Sequence, residues 1–374
     1  MTSRGIHTLS DNLRFKYRET KRDCAREEFR LNLLMILAIE SSCDESALAF
    51  FEPKAGLRRE LISSQAATHE RFGGVVPDLA SRMHLSALPL LLEDFRDELA
   101  QVNQIAVTRG PGLLPCLSMG ISLARAIALA TGKPIVGVNH LRAHVHSAFI
   151  ELHAQDPHHF LAHRKNLLPH LGLVVSGGNT LCVKLDKDGS LTVLARTVDD
   201  AAGEAFDKGA KLLGLPYPGG ALIEKYAQNG QAHSFHFPRA VPDHTDWRFS
   251  FSGLKTALRY QLEKMADTEV QQALPDICAS YQEAILGQLL AKVEAILKVE
   301  KFASIGLSGG VANNLSLRQK LKECAQSNRL PLLIAKPQHC GDNAGMIAFA
   351  AWAEHHLPPQ QNITPAPQLT IDCP

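Results

Sequence analysis

The sequence lacks several features that would assign it to a common class of protein. Its 374 residues hold 39 Lys and Arg against 38 Asp and Glu, and this net charge of +1 leaves no general basic surface. If nucleic acid is a partner, its contacts must come from local patches or from other subunits. The eight cysteines include no C-x-x-C pair, which is typical of reduced thiols and predicts a cytoplasmic protein.

The apolar run near the N-terminus is too short to cross a membrane. Residues 31–39 are apolar, but the run stops at Glu40 and has no small-x-small cleavage site. We therefore predict a buried β-strand here and no membrane association. Residues 1–34 show little periodicity, and we interpret them as a poorly ordered extension or as sequence translated ahead of a natural start at Met35.

The usual nucleotide-binding motifs are missing. There is no G-x-x-x-x-G-K-[ST] and no G-x-G-x-x-G. Instead, glycine turns follow apolar strands at residues 110–112, 176–178 and 308–310. Glycine lets backbone N–H groups approach an anion closely, although tight turns also need glycine for structural reasons alone. Three such turns favour a nucleotide or acyl-phosphate site.

A repeated pattern indicates an internal duplication. Apolar residues 35–39 and 47–51 flank the polar turn 40–46, and residues 171–175 and 181–185 flank the turn 176–180. Strands and helices alternate after each hairpin, which predicts an α/β protein with a parallel sheet in each of two lobes and a cleft between them. We place the lobes at residues 35–150 and 151–357, followed by a proline-rich, frayed tail at 358–374.

Two histidines four residues apart are the most informative feature that is present. His140 and His144 follow a predicted strand, with Asn139 as a plausible helix N-cap, and this spacing places both rings on one helix face. The position after His140 is Leu141, so the general base of an H-E-x-x-H protease is missing. The pair is either a set of metal ligands or two ordinary helix histidines. Asp342 could complete an open His₂Asp metal site, or it could cap the helix that follows.

Other polar segments have two interpretations each. Lys208 and Glu204 could form an ordinary i, i+4 pair on a solvated helix face, or the helix could present Asp207 to a ribose. His69 and His84 are weaker ligand candidates, because the intervening Gly and Pro residues impose no common face.

Taken together, these segments resemble the tRNA N6-adenosine threonylcarbamoyltransferases, formerly called O-sialoglycoprotein endopeptidases. The resemblance extends from Met35 to about Trp352. The blocks that carry it are IESSCDES at 39–46, His69 with GGVVPDLASR at 73–82, the histidine pair, VVSGG at 174–178, DDAAGEAFDK at 199–208, YPGG at 217–220, FSFSGLKT at 249–256, GGVANN at 309–314 and Asp342-Asn343.

The resemblance implies a fold, a reaction and a set of ligands. It implies the actin/Hsp70/sugar-kinase fold, with two duplicated RNase H-like lobes. It implies transfer of the threonylcarbamoyl group of threonylcarbamoyl-AMP to N6 of the adenosine 3′ of the anticodon, in tRNAs that read codons beginning with adenine. By position, one divalent metal ion, Fe²⁺ rather than Zn²⁺, would be held by His140, His144 and Asp342. The donor's acyl phosphate would lie on Val174, Val175, Ser176, Gly177 and Gly178, and its adenosine on Asp207, Gly220 and Asn314.

The resemblance also implies partners, namely a paralogous pseudo-enzyme and a small ATPase of the TsaB and TsaE type. The turn carboxylates Glu40 and Glu45 are candidates for removing the proton of the attacking amine, although turn carboxylates commonly only cap or solvate. Two alternatives stay open: a kinase or ATPase with the same cleft, and a nucleotide-binding scaffold without turnover.

The chain departs from the usual family pattern at four positions. Arg142 replaces an acidic residue beside the histidines, Ala143 a glycine, Pro115 a glycine and Asn179 a histidine. None of these changes removes a predicted metal ligand. We interpret them as marks of a divergent bacterial branch.

Overall fold

The computed structural model describes residues 34–238, 247–355 and 363–373. Apart from Leu34, the predicted N-terminal extension lies outside the described residues. The strands are β1 Ile36–Glu40, β2 Glu45–Glu52, β3 Gly56–Ser64, β4 Gln104–Gly110, β5 Ile135–Asn139, β6 His170–Val175, β7 Thr180–Leu185, β8 Leu191–Arg196, β9 Ser304–Ser308 and β10 Leu332–Ile334.

Helices connect and cover these strands. They are Ala66–Glu70, Pro77–Glu93, Leu114–Thr131, His140–Ser147, Ile150–Gln155, Phe160–Asn166, Ala202–Leu212, Gly219–Ala227, Ser252–Leu262, Asp267–Val299, Leu315–Ser327, Pro337–Cys340 and Ala344–Ala353, with a 3-10 helix at Gly310–Asn313.

The two sheets have one topology. The first has the order β3-β2-β1-β4-β5 and the second the order β8-β7-β6-β9-β10. In each sheet the first strand pairs antiparallel with the second and parallel with the fourth. The same order and directions in both halves confirm the predicted duplication and the α/β class.

Alternate side chains of each central strand enter different cores, as the pleat requires. Leu37 and Ile39 of β1 face an outer core with the helices Pro77–Glu93 and Leu114–Thr131. Ile36 and Ala38 face a core between the sheets that also holds Val174 of β6. The lobes therefore share an apolar core on one side of the cleft.

Helix Leu114–Thr131 is the one described helix with the length and composition to cross a membrane. Here its residues Ile121, Ala124 and Ile127 pack in the outer core of the first sheet, so its apolar character serves packing.

The last long helix returns to the first lobe. Ala344–Ala353 is buried on all sides, which its uniformly apolar sequence allows. It packs against β1, β2 and the helix His140–Ser147. These contacts differ from the prediction that residues up to 357 follow the second lobe, because the alternation of strands and helices does not reveal which sheet a terminal helix covers.

The prediction of a frayed proline-rich tail is wrong for residues 363–373. Ile371 is 3% exposed in the core between the sheets, and Ile363 is buried in the outer core of the first sheet. Ala366 N–H donates to Arg109 O at 2.7 Å. The composition suggested disorder, but two isoleucines and backbone hydrogen bonds fix the segment.

Candidate metal centre

The helix that carries the two histidines, His140–Ser147, begins directly after β5. The Asn139 side chain caps it, accepting from Leu141 N–H at 3.0 Å and Arg142 N–H at 3.3 Å, as predicted. The i, i+4 spacing places the rings of His140 and His144 with centroids 4.7 Å apart and nearly perpendicular. Both side chains are buried, so they point into the protein rather than to solvent.

Asp342 lies against both histidines. Its Oδ1 atom is 3.3 Å from His140 Nε2 and 3.2 Å from His144 Nε2. Ligand atoms of all three residues lie within 4.8 Å of one another. Donors that surround one ion at about 2.0–2.2 Å stand roughly 3.3 Å apart, so the three groups fit a single divalent cation.

The helix after Asp342 is capped by another residue. Asn343 Oδ1 accepts from Met346 N–H at 2.8 Å, and Glu60 Oε1 of β3 accepts from Gly345 N–H at 2.6 Å. Asp342 therefore does not cap this helix, which was the alternative interpretation of this residue. Glu60 anchors the loop that carries Asp342 to the first sheet.

Glu40 lies behind the histidines. Its Oε2 atom is 3.2 Å from His140 Nδ1 and accepts from Thr108 Oγ1 at 2.6 Å, while Oε1 accepts from Ser42 N–H at 2.5 Å. A carboxylate on the far nitrogen of a metal-binding histidine fixes the ring and its tautomer. Glu40 is fully buried and occupied, so its position argues against the predicted role as a base acting on substrate.

The charges of this cluster are coupled. Burial would raise the pKa of Glu40, but His140 outweighs it and holds that pKa below its usual value. Burial would lower the pKa of His140, yet Asp342 and Glu40 hold it well above the usual range. Burial lowers the pKa of His144, whose neutral ring can offer a lone pair to a cation.

Glu45 lines the cleft beside the metal cluster. Burial, followed by repulsion from Asp342 and Asp44, raises its pKa to about 9. A carboxyl group that is protonated at neutral pH donates a hydrogen bond and does not remove a proton. The structure therefore argues against Glu45 as a general base.

A cleft of about 840 Å³ opens beside the metal cluster. Both lobes contribute to its described lining, which comprises Ser42, Cys43, Asp44, Glu45, Ala66, Gly73, Gly74, Val75, Pro111, Gly112, Leu113, His140, Ser176, Gly177, Gly178, Asn179, Glu204, Asp207, Lys208, Lys211, Tyr217, Pro218, Lys255, Gly310, Gly341 and Asp342. His140 and Asp342 therefore offer one side of the cluster to a ligand in the cleft.

The glycines at or next to the cleft differ in whether the fold requires them. A Cβ atom on Gly177, Gly178 or Gly310 would meet nothing within 4 Å, and none of the three has a positive φ. Neither packing nor backbone conformation requires glycine there, so the open space beside them suits a close ligand. A Cβ on Gly112 would lie 2.7 Å from Ser42 O, and Gly309, with φ of 88°, would collide with Val175 O. Those two positions need glycine for the fold.

The structure separates the predicted donor-binding residues. Ser176, Gly177, Gly178 and Asp207 line the cleft. Val174 and Val175 lie in the cores behind it, where only their backbone could contribute. The other two, Gly220 and Asn314, have different positions.

Gly220 and Asn314 are not among the cleft-lining residues described. Gly220 lies in the first turn of the helix Gly219–Ala227, which Asp207 holds by accepting from Gly219 N–H at 2.7 Å. Asn314 Oδ1 accepts from Leu317 N–H at 2.9 Å, and its Nδ2 donates to Gln282 at 2.7 Å. Both polar ends of Asn314 are thus used within the protein.

Three lysines at the cleft were missed as site residues. Lys208 pairs with Asp200 at 2.7 Å and with Glu204 at 2.9 Å, so the predicted i, i+4 pair is present. Lys211 and Lys255 form no ion pair with any residue that the structure describes, and both are exposed. The i, i+4 spacing of Asp207 and Lys211 could have revealed their shared helix face.

His69 and His84 have structural contacts and do not join the metal cluster. His69 is 3.1 Å from Gln65 Oε1 and accepts from Val76 N–H at 3.3 Å. His84 contacts Ser46 Oγ at 2.7 Å and Cys43 O at 2.9 Å, supporting the turn that carries Glu45.

Comparison with known proteins is decisive for the family. A family model described as "TsaD: tRNA N6-adenosine threonylcarbamoyltransferase" matches residues 56–349. This chain belongs to that family. It is 44% identical over 321 residues to the tRNA N6-adenosine threonylcarbamoyltransferase of Trichlorobacter lovleyi, covering 85% of this chain and 90% of the relative. The corresponding protein of Fervidobacterium nodosum is 41% identical, with 85% and 92% covered.

Solved structures confirm the fold expected of a threonylcarbamoyltransferase. Full-length HypF in its phosphate- and nucleotide-bound form has a TM-score of 0.56 at 13% identity, over 87% of this chain and 46% of HypF. Component A of the Acidaminococcus fermentans (R)-2-hydroxyglutaryl-CoA dehydratase has a TM-score of 0.50 at 12% identity, over 87% of this chain and all of that one. The predicted family, enzyme class and actin/sugar-kinase-like fold are therefore confirmed.

Proposed function

We propose that this transferase moves the threonylcarbamoyl group of threonylcarbamoyl-AMP to N6 of the adenosine 3′ of the anticodon, in tRNAs that read codons beginning with adenine. One observation supports this proposal above all. A cluster of three possible metal ligands and glycine residues beside open space meet at the same cleft. The first suits a metal ion, and the second suits an anionic group.

We propose that His140, His144 and Asp342 hold one divalent ion, with Fe²⁺ favoured over Zn²⁺. Two imidazoles and one carboxylate with open positions form the ligand set typical of non-haem Fe²⁺, although zinc enzymes use similar sets. When bound, such an ion polarises substrate oxygens and orients the group that they belong to. Glu40 contacts the Nδ1 atom of His140 and so fixes the orientation of that ring.

The second lobe supplies the donor-binding surface in this proposal. Gly177 and Gly178 line the cleft beside open space, and their backbone N–H groups would hold the acyl phosphate. Val174 and Val175 would support that turn through the backbone. The adenosine part would lie towards Asp207, beside two helix starts: one contains Gly220 and is held by Asp207, and the other is capped by Asn314. Lys211 and Lys255 carry charge that suits the phosphate or the tRNA backbone.

The chemistry asks little of the protein beyond orientation. The donor is a mixed anhydride, so attack by the adenosine amine forms the carbamoyl C–N bond as the bond to the phosphate oxygen breaks. AMP departs, and its phosphate accepts the proton that the amine loses. The cleft would hold the two reactants in line. Glu45 lines the cleft, and burial raises the pKa of its carboxyl group, which would let it donate a hydrogen bond to an oxygen of the donor.

We propose that the enzyme acts in the cytoplasm with a paralogous pseudo-enzyme and a small ATPase of the TsaB and TsaE type. The net charge of +1 supports shared tRNA binding, because several phosphate contacts normally need clustered Lys and Arg.

The test is a reconstituted assay with the full chain, its partners, threonylcarbamoyl-AMP, Fe²⁺ and a tRNA transcript, read by mass spectrometry of the nucleosides. We expect threonylcarbamoyladenosine with the unaltered chain and with the surface control His163→Ala, and almost none with Asp342→Ala. Full modification by Asp342→Ala would refute the catalytic metal. ATP hydrolysis by the purified chain alone, with no tRNA modification in the complete mixture, would instead support the kinase or ATPase alternative. Nucleotide binding by the chain alone without any turnover would support the scaffold alternative.

A further inference from the structure

The C-terminal segment, residues 363–373, contacts the start of the metal-binding helix. Asn139 Nδ2 donates to Thr370 O and to Cys373 O, each at 2.8 Å. The oxygen of the same amide caps the helix by accepting from Leu141 and Arg142 N–H. One side chain thus joins the segment to the helix turn that begins with His140.

A second contact joins the segment to the same helix. Arg142 donates to Ile371 O at 2.9 Å and also to Glu354 Oε1 at 2.7 Å. The Ile371 side chain is almost fully buried between the sheets. The segment is therefore held by both apolar burial and hydrogen bonds to the helix.

The segment also seats against the first glycine turn. Gly112 N–H donates to Pro367 O at 3.2 Å. A Cβ atom on Gly110 would collide with Ala366 O, so this glycine gives the segment room to pack. The turn at 110–112 thus supports the segment, and Gly112 itself lines the cleft.

We propose that residues 363–373 are a positioning element for the metal centre. The inference rests on the proposed metal site and adds a part of the chain beyond residue 349, where the family match ends. An Asn amide with both ends engaged holds one orientation. Without the two carbonyl acceptors the amide rotates more freely, the helix start loosens, and His140 loses its fixed position.

The test compares two aspartate substitutions in the full chain. Ile371→Asp places a charge in the core and should displace the segment, whereas Gln368→Asp adds the same charge at an exposed position. Co²⁺ binding is followed by its visible absorption, and hydrogen exchange is followed at the amides of Leu141 and Arg142. We expect Ile371→Asp to bind Co²⁺ about 10- to 100-fold more weakly, with faster exchange at both amides. Gln368→Asp and the conservative Ile371→Val should match the unaltered chain.

Equal Co²⁺ affinity and equal amide exchange in a folded Ile371→Asp protein would overturn the inference. If Ile371→Asp does not fold, Ile371→Ala in the full chain takes its place, and it should bind Co²⁺ more weakly and exchange faster at both amides than Ile371→Val; equal values for these two variants would overturn the inference. Failure of the unaltered chain to bind Co²⁺ or Fe²⁺ would overturn the metal site and this inference together. The two failures are thus distinguishable.

Discussion

The two lobes place different chemistry at the same position of one topology. In the first sheet, the turn between β1 and β2 is polar and buried, with Glu40 and Ser42 packed against His140. In the second sheet, the turn between β6 and β7 exposes Gly177 and Gly178 to the cleft. A duplicated fold fixes where a turn lies, while the side chains decide whether it supports a metal ligand or presents its backbone.

The largest effect should follow removal of one of the proposed metal ligands of the first lobe. His144→Ala should lower kcat for tRNA modification by roughly 10³-fold, because a Lewis acid contributes several kcal/mol. Steady-state assays with added Fe²⁺ and metal analysis of the purified protein measure this. The exposed His163→Ala should retain both activity and metal; a His144→Ala protein that does so too would break the comparison.

The glycine turns of the second lobe provide a matched pair. Gly177→Val fills open space, so its free energy of unfolding should change by less than about 0.5 kcal/mol while kcat/KM for the donor falls by roughly 10- to 100-fold. Gly309→Ala meets Val175 O at a positive φ and should lose roughly 2–4 kcal/mol of stability. Urea denaturation and donor titration separate the two effects. A stable Gly309→Ala protein would contradict the close approach described between Gly309 and Val175 O.

A smaller effect should come from the buried carboxylate of the first turn. Glu40→Gln keeps the shape but weakens the contact with His140 Nδ1, and metal affinity should fall by about 10- to 100-fold. Competition for Fe²⁺ or Co²⁺ with a chelator measures this. The exposed variant Glu93→Gln serves as control. An unchanged affinity would show that Glu40 acts elsewhere.

The last effect depends on pH and concerns Glu60, which anchors the Asp342 loop. Burial raises its pKa to about 7, so the folded chain holds more protons than the unfolded chain between about pH 4.5 and pH 7. The free energy of unfolding should therefore fall as pH rises through this window, by at most about 3 kcal/mol from this group. Glu60→Gln keeps the acceptor for Gly345 N–H and should flatten the dependence. Urea denaturation at pH 5 and pH 7.5 with a chelator present measures it; an unaltered slope in Glu60→Gln would be the contrary result.

Local patterns were sufficient for several parts of the site. The i, i+4 spacing of His140 and His144 and the N-cap at Asn139 depend on residues within one helix turn, and both are present in the structure. The glycine turn at 176–178 lies between its two strands as the alternation predicts. The lysines at 211 and 255 were missed because only folding brings their helices to one cleft.

The sequence by itself determined the duplicated α/β plan and the pairing of two histidines on one helix face, because period and spacing are local properties. The family was indicated by the resemblance of its sequence blocks to those of a known family. Only the tertiary structure decided that Asp342, 198 positions beyond His144, meets both rings. It also decided that Glu40 contacts His140 and that the C-terminal segment packs against Asn139. These contacts join distant parts of the chain, and their partners are selected by packing, which no local pattern encodes.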